Sequence, residues 1–367
     1  MAERALARVS RGAVERNCAL LRSKLTGGAE LCAVVKANGY GHGAVEVARA
    51  ALTGGATWLA VATAGEAREL RDAGIDARLL VMGALTRADL DTALAAGADI
   101  AAWTPELLEA AAAHDRPARI HVKLDSGMGR LGTKDPDEAR ALCDRASADP
   151  RLQLAGVWTH FATADEPGDD HFPDQLRTFA ALANEIRASY PGTIAHAANS
   201  AATLRDPAAH FDLVRCGIAI YGLDPFQHDP ADQGLEPALS LHSYVAAVKR
   251  FEPGESAGYG RRWTPSAPTW VGVLPIGYGD GWRRALTNNA DVLVAGRRHP
   301  LVGTVSMDNV TIDLGPETEV RPGDDAVLIG RQEGERILAE EVAARLQTIN
   351  YEVTCGIGRR VRYLHEP

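Results

Sequence analysis

What the 367-residue chain lacks narrows its role before any motif is read. No segment approaches the roughly 20 consecutive apolar residues of a bilayer-spanning helix. The opening Met1-Ala2-Glu3-Arg4-Ala5 also has no apolar core of the secretory kind. The expected location is therefore the cytoplasm, with no membrane partner. Cysteine is sparse: Cys18, Cys32, Cys143, Cys216 and Cys355 are odd in number, widely spread and free of any CxxC pair. Neither a disulfide framework nor a zinc or other metal site is expected, and the thiols should be reduced. Basic excess is missing too, since 39 Lys+Arg against 48 Asp+Glu give a formal charge of -9. That balance disfavours a nucleic-acid or membrane-surface role, and the pairs Arg283-Arg284 and Arg359-Arg360 read as solvated surface or small-anion contacts. No GxGxxG follows the first apolar strand, which removes the main support for a dinucleotide-binding fold. There is no internal repeat and no low-complexity tract beyond alanine richness.

What is present describes an ordinary globular chain, 46% hydrophobic and 24% charged. Its length exceeds what one core usually serves, so two domains are expected. Eight short apolar runs alternate with helical stretches: residues 31–35, 58–62, 78–82, 99–103, 119–124, 154–159, 194–198 and 213–221. The intervening segments 65–73, 87–96, 105–114, 136–146 and 173–189 are rich in alanine and leucine. Strict alternation implies a parallel sheet, and eight units suggest an α/β fold of the (β/α)₈ TIM-barrel type. An open doubly wound sheet is the alternative that strand counting leaves standing. After Gly222 the texture changes, through Asp224-Pro225 and a polar stretch to Gly234, into β-type runs at 239–251, 269–274, 291–295, 301–305, 309–313 and 326–329. Turns such as Glu252-Pro253-Gly254 and Arg321-Pro322-Gly323 separate them. The expected division is a barrel over 1–228 and a mostly-β domain over 229–367 carrying one helix, 339–346. The opening residues, 1–10, are free to pack on the second domain.

Chemistry concentrates first in Ala33-Val34-Val35-Lys36-Ala37-Asn38-Gly39-Tyr40-Gly41-His42-Gly43. One lysine stands at the end of an apolar strand, followed by permissive glycines and by a tyrosine and a histidine that can reach an anion. A partly desolvated lysine is suited to a Schiff base with an aldehyde cofactor. By itself, such a lysine is more often a loop side chain reaching for water. The remaining strand ends strengthen the first reading, because a barrel collects its site at the carboxyl ends of its strands. There the sequence delivers Lys36 and Tyr40, then Lys123 to Arg130, His160, Asn199-Ser200, and Arg215 with Gly217-Ile218. Alone, His160 reads as a satisfied histidine and Arg215 as a structural ion pair; together on one rim they form a site.

The segments VVKANGYGHG, KLDSGMGRLG, WTHFATADE, HAANS, VRCGIAIYG, AGYGRRW, LPIGYGDGW, VGTVSMDN and TINYEVTC follow one another from residue 34 to 355. In kind and order they resemble the motifs of bacterial alanine racemases, over nearly the whole chain. The resemblance implies a racemase that interconverts L- and D-alanine with pyridoxal 5′-phosphate, supplying D-alanine for peptidoglycan. It implies that Lys36 binds the cofactor and serves one face of the substrate α-carbon. Tyr259, offered by the other subunit of a homodimer, serves the opposite face. An ordinary tyrosine is a poor base at neutral pH, and the family supports this one through a chain from the tyrosine to His160 to Arg215.

By the same resemblance Arg215 meets the pyridine nitrogen. Tyr40, Asn199, Ser200, the amides of Gly217 and Ile218, and Tyr351 bind the cofactor or its phosphate. Arg130, Met307 and Asp308 serve the substrate carboxylate, and Tyr278 narrows the entrance. In many members the lysine matching Lys123 is carbamylated and braces the arginine matching Arg130. An arginine can only donate, so it opposes protonation of the ring nitrogen, weakens the electron sink and favours proton exchange over decarboxylation. The chain departs from the commonest pattern with Gly39 for alanine, Ala257-Gly258 ahead of Tyr259, and Ser306 where cysteine is frequent. The alternatives are a racemase of broader or different specificity, such as serine, a related decarboxylase, and a cofactor-binding protein without turnover.

Overall fold

The computed structural model describes residues 3–367; Met1 and Ala2, part of the amino-terminal stretch read above, lie outside it. The chain divides into two compact units, Val14–Ile220 and a second one that joins residues 3–13 to Tyr221–Pro367. With strand β1 at Leu6–Ser10, the first unit is built on β2 (Glu30–Val34), β3 (Trp58–Val61), β4 (Arg78–Val81) and β5 (Asp99–Ala102). It continues through β6 (Ala118–Lys123), β7 (Leu152–Trp158), β8 (Ile194–His196) and β9 (Leu213–Cys216). These eight pair in parallel and close, β9 returning to β2 with Leu31 beside Val214. The expected (β/α)₈ barrel is therefore the fold, and the open sheet is not.

Local signals explain the alternation. Thr63 with Glu66, and Thr86 with Asp89, form reciprocal capping boxes at the starts of helices Ala64–Asp72 and Arg87–Ala95. Pro105 and Pro136 open the next helices behind the capping side chains of Thr104 and Asp135. Strands such as β3 and β5 are buried at every position, as parallel strands covered on both faces must be. The eighth strand stops at Cys216 instead of running on to Tyr221, because Ile218–Tyr221 coils into a single 3-10 turn.

The second unit is a largely antiparallel sheet of ten strands. Its further strands are β10 (Leu239–Tyr244), β11 (Ala247–Phe251), β12 (Thr269–Leu274), β13 (Asp291–Val294) and β14 (Arg297–Val302). Then come β15 (Val310–Gly315), β16 (Asp325–Gln332), β17 (Glu335–Ile337) and β18 (Arg362–Glu366). The order is β11-β12-β15-β14-β13-β16-β10-β1-β18, with β17 on β16. The run 239–251 is thus two strands: Val245 donates to the Asp324 carbonyl while Ala246 donates to that of Val273. Neighbouring residues engage different strands, and the chain changes place in the sheet between them. β1 pairs antiparallel with β10 and parallel with β18. Among the described residues, no helix is long and apolar enough to cross a membrane.

Candidate active site

Lys36 stands two residues beyond the end of β2, half-buried at the carboxyl end of the barrel. The residues after it form no ordinary loop. Ala37, Asn38, Gly39 and Tyr40 have φ of 51°, 53°, 61° and 51° with ψ between 37° and 51°, one turn of left-handed helix. Such a conformation costs roughly 1–2 kcal/mol for each residue that carries a Cβ, so it must be held. Glu66 accepts from the Ala37 amide at 2.6 Å, and the Gly39 amide donates to the Val35 carbonyl at 2.9 Å. The Asn38 side chain accepts from the Ala44 amide at 3.1 Å. The turn sends Tyr40 back into the barrel, where it is buried, with the Lys36 ammonium 5.9 Å from its ring centre.

At the ends of β8 and β9 a cradle of donors meets that tyrosine. The Ser200 hydroxyl accepts from the amides of Gly217 at 3.0 Å and Ala219 at 3.2 Å. A Cβ at position 217 would stand 2.3 Å from the Tyr40 hydroxyl oxygen, so only glycine admits this approach. Ile218 opens the 3-10 turn beside it. Asn199 is the N-cap of helix Ser200–Arg205, accepting from the Ala202 amide at 2.9 Å, and so fixes where Ser200 begins. Hydroxyls and backbone amides converging beside a lysine suit an aldehyde cofactor that carries a phosphate.

Arg215 is buried and held on several sides. It donates to the carbonyls of Thr159 at 2.8 Å and Ala197 at 2.9 Å, and its other nitrogen contacts His196 Nδ1 at 2.9 Å. His160 Nδ1 lies 3.3 Å away. Trp158 floors this group, with the guanidinium carbon of Arg215 4.7 Å and the Lys123 ammonium 4.2 Å from its ring. Burial, then the nearby cations Arg215, Lys123 and Arg130, keep the His160 imidazole well below its usual value and therefore neutral. Burial, reinforced by Arg215 and Arg130, brings the Lys123 ammonium down to about 7.

Arg130 is exposed on a loop organised by Asp125. One Asp125 oxygen accepts from the amides of Gly127 and Gly129, each at 3.0 Å, and the other from the Arg130 amide at 2.8 Å. Burial alone would raise the Asp125 carboxyl, but these backbone donors outweigh it and hold the value low.

In the second unit, three loops pack together. Thr304 donates to the Tyr259 carbonyl at 2.6 Å, Tyr278 donates to the Ser306 carbonyl at 3.0 Å, and Gly279 to that of Met307 at 2.9 Å. Asp308 pairs with Arg360 at 2.9 Å; Arg4 grips the fully buried Asp280 through two bonds of 2.7 Å. The side chains of Tyr259, Met307 and Tyr278 nevertheless stand out, 74%, 50% and 41% exposed. Tyr351 lies on helix Asn350–Cys355, which the buried Asn350 anchors through its bonds to the Asp224 carbonyl and Glu340.

Two family profiles cover this chain: the alanine racemase N-terminal domain matches residues 9–225 and the alanine racemase C-terminal domain residues 238–365. The chain belongs to the alanine racemase family. An alanine racemase of Thermobifida fusca is 44% identical over 368 residues, 98% of each chain. One of Symbiobacterium thermophilum is 43% identical over 360 residues, 97% of this chain and 95% of the other. The crystal structure of alanine racemase from E. faecalis superposes with a TM-score of 0.93 at 36% identity, covering 99% of this chain and 98% of the other.

Within this alanine racemase scaffold the barrel unit brings together Lys36, Tyr40, Lys123, His160, Ser200, Arg215 and Gly217, while Tyr259, Tyr278, Met307, Asp308 and Tyr351 belong to the other unit. Several further residues shape the site without being readable as site residues from the sequence. Glu66 and Asp125 act through bonds to backbone amides, Trp158 through stacking and His196 through its ring nitrogen on Arg215; the last three stand inside the motif segments, whose pattern does not state these roles. His121, 2.8 Å from His196, has a signal in the sequence: Arg119, His121 and Lys123 alternate along β6 and so share one face of the strand.

Proposed function

We propose that the protein racemises alanine with pyridoxal 5′-phosphate, Lys36 and the Tyr259 of a second copy acting on opposite faces of the substrate α-carbon. The observation that carries this reading is the barrel rim, where Lys36, the Tyr40 hydroxyl, Ser200 and the Gly217 amide converge beside a fully enclosed arginine. Lys36 would hold the cofactor through its aldehyde; Tyr40, Asn199, Ser200, Gly217, Ile218 and Tyr351 would hold its phosphate end. When bound, the cofactor supplies the electron sink that acidifies the α-C–H of the amino acid.

Arg215 can only donate, so a ring nitrogen facing it stays unprotonated. This tempers the sink and favours simple removal and return of a proton. The same property orders His160. Its Nδ1 faces an Arg215 donor at 3.3 Å and must accept, so the neutral ring carries its proton on Nε2. That N–H is the donor a phenolate of Tyr259 would use, which makes the tyrosine a competent base at neutral pH.

Arg130 would clasp the substrate carboxylate with its planar fork, joined by Met307 and Asp308, with Tyr278 narrowing the entrance for a small side chain. The three exposed residues of the β unit, Tyr259, Tyr278 and Met307, suit burial against a second copy, giving a homodimer with shared sites. D-alanine made in the cytoplasm would serve peptidoglycan. Incubation of the cofactor-loaded protein with L-alanine in deuterated water tests the proposal. D-alanine labelled at the α-carbon, lost in Lys36→Ala, is the expected result. Unchanged alanine would reject the substrate.

A further inference from the structure

The buried contacts of Arg215 do not end at His196. Inside the barrel, His196 Nε2 lies 2.8 Å from His121 Nδ1, and His121 Nε2 lies 3.0 Å from Asp99 Oδ2. All three side chains are fully buried. Asp99 opens β5, so this line of groups crosses the barrel from the carboxyl ends of the strands, where Arg215 sits, to their amino ends. There Arg119 bonds Asp99 Oδ1, and Arg78 donates to Oδ2 at 3.1 Å. Barrel interiors are ordinarily filled by branched apolar side chains. A polar file in their place, with His121 edge-on to Trp58 and His196 stacked on Trp158, calls for a reason.

Only one arrangement of protons satisfies every contact. A guanidinium has no acceptor, so His196 Nδ1 must accept from Arg215. The neutral His196 then carries its proton on Nε2 and donates to His121 Nδ1. His121 in turn is protonated on Nε2 and donates to Asp99. Burial, followed by the charge of Arg215, holds His196 well below its usual value, in keeping with a neutral ring. Burial would raise the Asp99 carboxyl, but its bond to His121 and the charge of Arg119 outweigh it and keep the carboxylate ionised. Two imidazole dipoles thus point the same way between a buried cation and a buried anion.

We propose that His121 and Asp99 are positioning residues for Arg215, fixing through the His196 tautomer where its guanidinium donates. The guanidinium at one end and the carboxylate at the other demand the same direction of every proton in the file; reversing His196 would aim an N–H at the Arg215 N–H, and reversing His121 alone would aim one at the N–H of His196. The consequence for turnover rests on the proposed contact between Arg215 and the cofactor ring; the proton order does not.

The experiment uses the full-length protein with ¹⁵N-labelled histidine, both cofactor-free and loaded, alongside Asp99→Asn. Both oxygens of Asp99 accept, so an amide in its place sets an N–H against Arg119 or against His121 and Arg78. In the wild-type protein, His121 and His196 should both appear as neutral Nε2–H rings, and that fixed pattern should be lost in Asp99→Asn. In loaded Asp99→Asn, kcat for alanine should fall about tenfold, the scale typical of lost outer-shell support, with KM within a factor of about two. Asp99→Glu should recover part of kcat. An Nδ1–H tautomer at either ring in the wild-type protein overturns the proposal. So does an Asp99→Asn protein that keeps the pattern, or one that keeps its kcat. If Asp99→Asn fails to fold, the wild-type tautomers decide alone. Should the wild-type protein leave alanine unchanged yet show the predicted tautomers, the functional reading fails and the proton order stands.

Discussion

At the scale of single residues, the site is defined by what burial does to charge. Lys123 has almost no exposed surface and its ammonium titrates at about 7, against an unfolded value near 10.4. Between those limits the unfolded chain binds the additional proton, so stability should rise with pH across that window. Below about 7 both states are protonated and the full penalty, on the order of a few kcal/mol, is present. Lys123→Met should therefore be the more stable protein at pH 6.5 in CO₂-free buffer, with the gap closing toward the upper limit; urea denaturation at several pH values measures it. The neutral amine is also the form that attacks carbon dioxide, and its proton leaves to solvent as the carbamate forms. We expect ¹³C-bicarbonate to give a carbamate resonance that Lys123→Met lacks, the new anion being welcome beside Arg130. Gly217 makes a second, sharper case. Its φ lies outside the left-handed region, so alanine is allowed by the backbone but would press on the Tyr40 hydroxyl. Gly217→Ala should lower cofactor affinity by about tenfold, or about 1.4 kcal/mol, read by cofactor titration.

At the scale of elements, loops that look irregular are held by one side chain each. Asp125 accepts from three backbone amides and thereby shapes the turn that carries Arg130. Its carboxyl is depressed, so its contribution is complete above the unfolded value near 3.9 and lost as pH falls through the folded one. Asp125→Ala should cost roughly 2–3 kcal/mol at neutral pH and raise KM for alanine more than it lowers kcat, since it frees Arg130, the proposed carboxylate clasp. Thermal melts and steady-state kinetics check the two parts. The barrel strands were legible in the sequence because parallel strands are apolar throughout and helix caps separate them. The left-handed turn 37–40 was not, since three of its four residues carry a Cβ and local propensity argues against it; the hold comes from Glu66, distant in sequence. The short, polar β17 and β18 escaped for a related reason: their pairing partners, β16 and β1, supply what their own pattern lacks. Motif residues could be named from the sequence alone, whereas the file behind Arg215 needed the barrel to bring β5, β6 and β8 together.

At the scale of the molecule, Tyr259 poses the deciding question, because the proposed base for the α-carbon belongs to the second unit of the chain and is 74% exposed. If a second copy supplies it, Lys36→Ala and Tyr259→Phe disable the same site from opposite subunits. Each homodimer alone should then be inactive. A mixed dimer holds one site with both substitutions and one with neither. Random reassortment makes half the dimers mixed, and half of their sites are intact, so mixing equal amounts should restore about a quarter of wild-type activity. Were both groups drawn from a single chain, every site in the mixture would carry one lesion, and no activity would return. The mixture must first be allowed to exchange subunits, and recovered activity should fall on dilution as dimers dissociate. Wild-type protein diluted in parallel should lose specific activity over the same concentration range, which ties the loss to assembly rather than to either substitution.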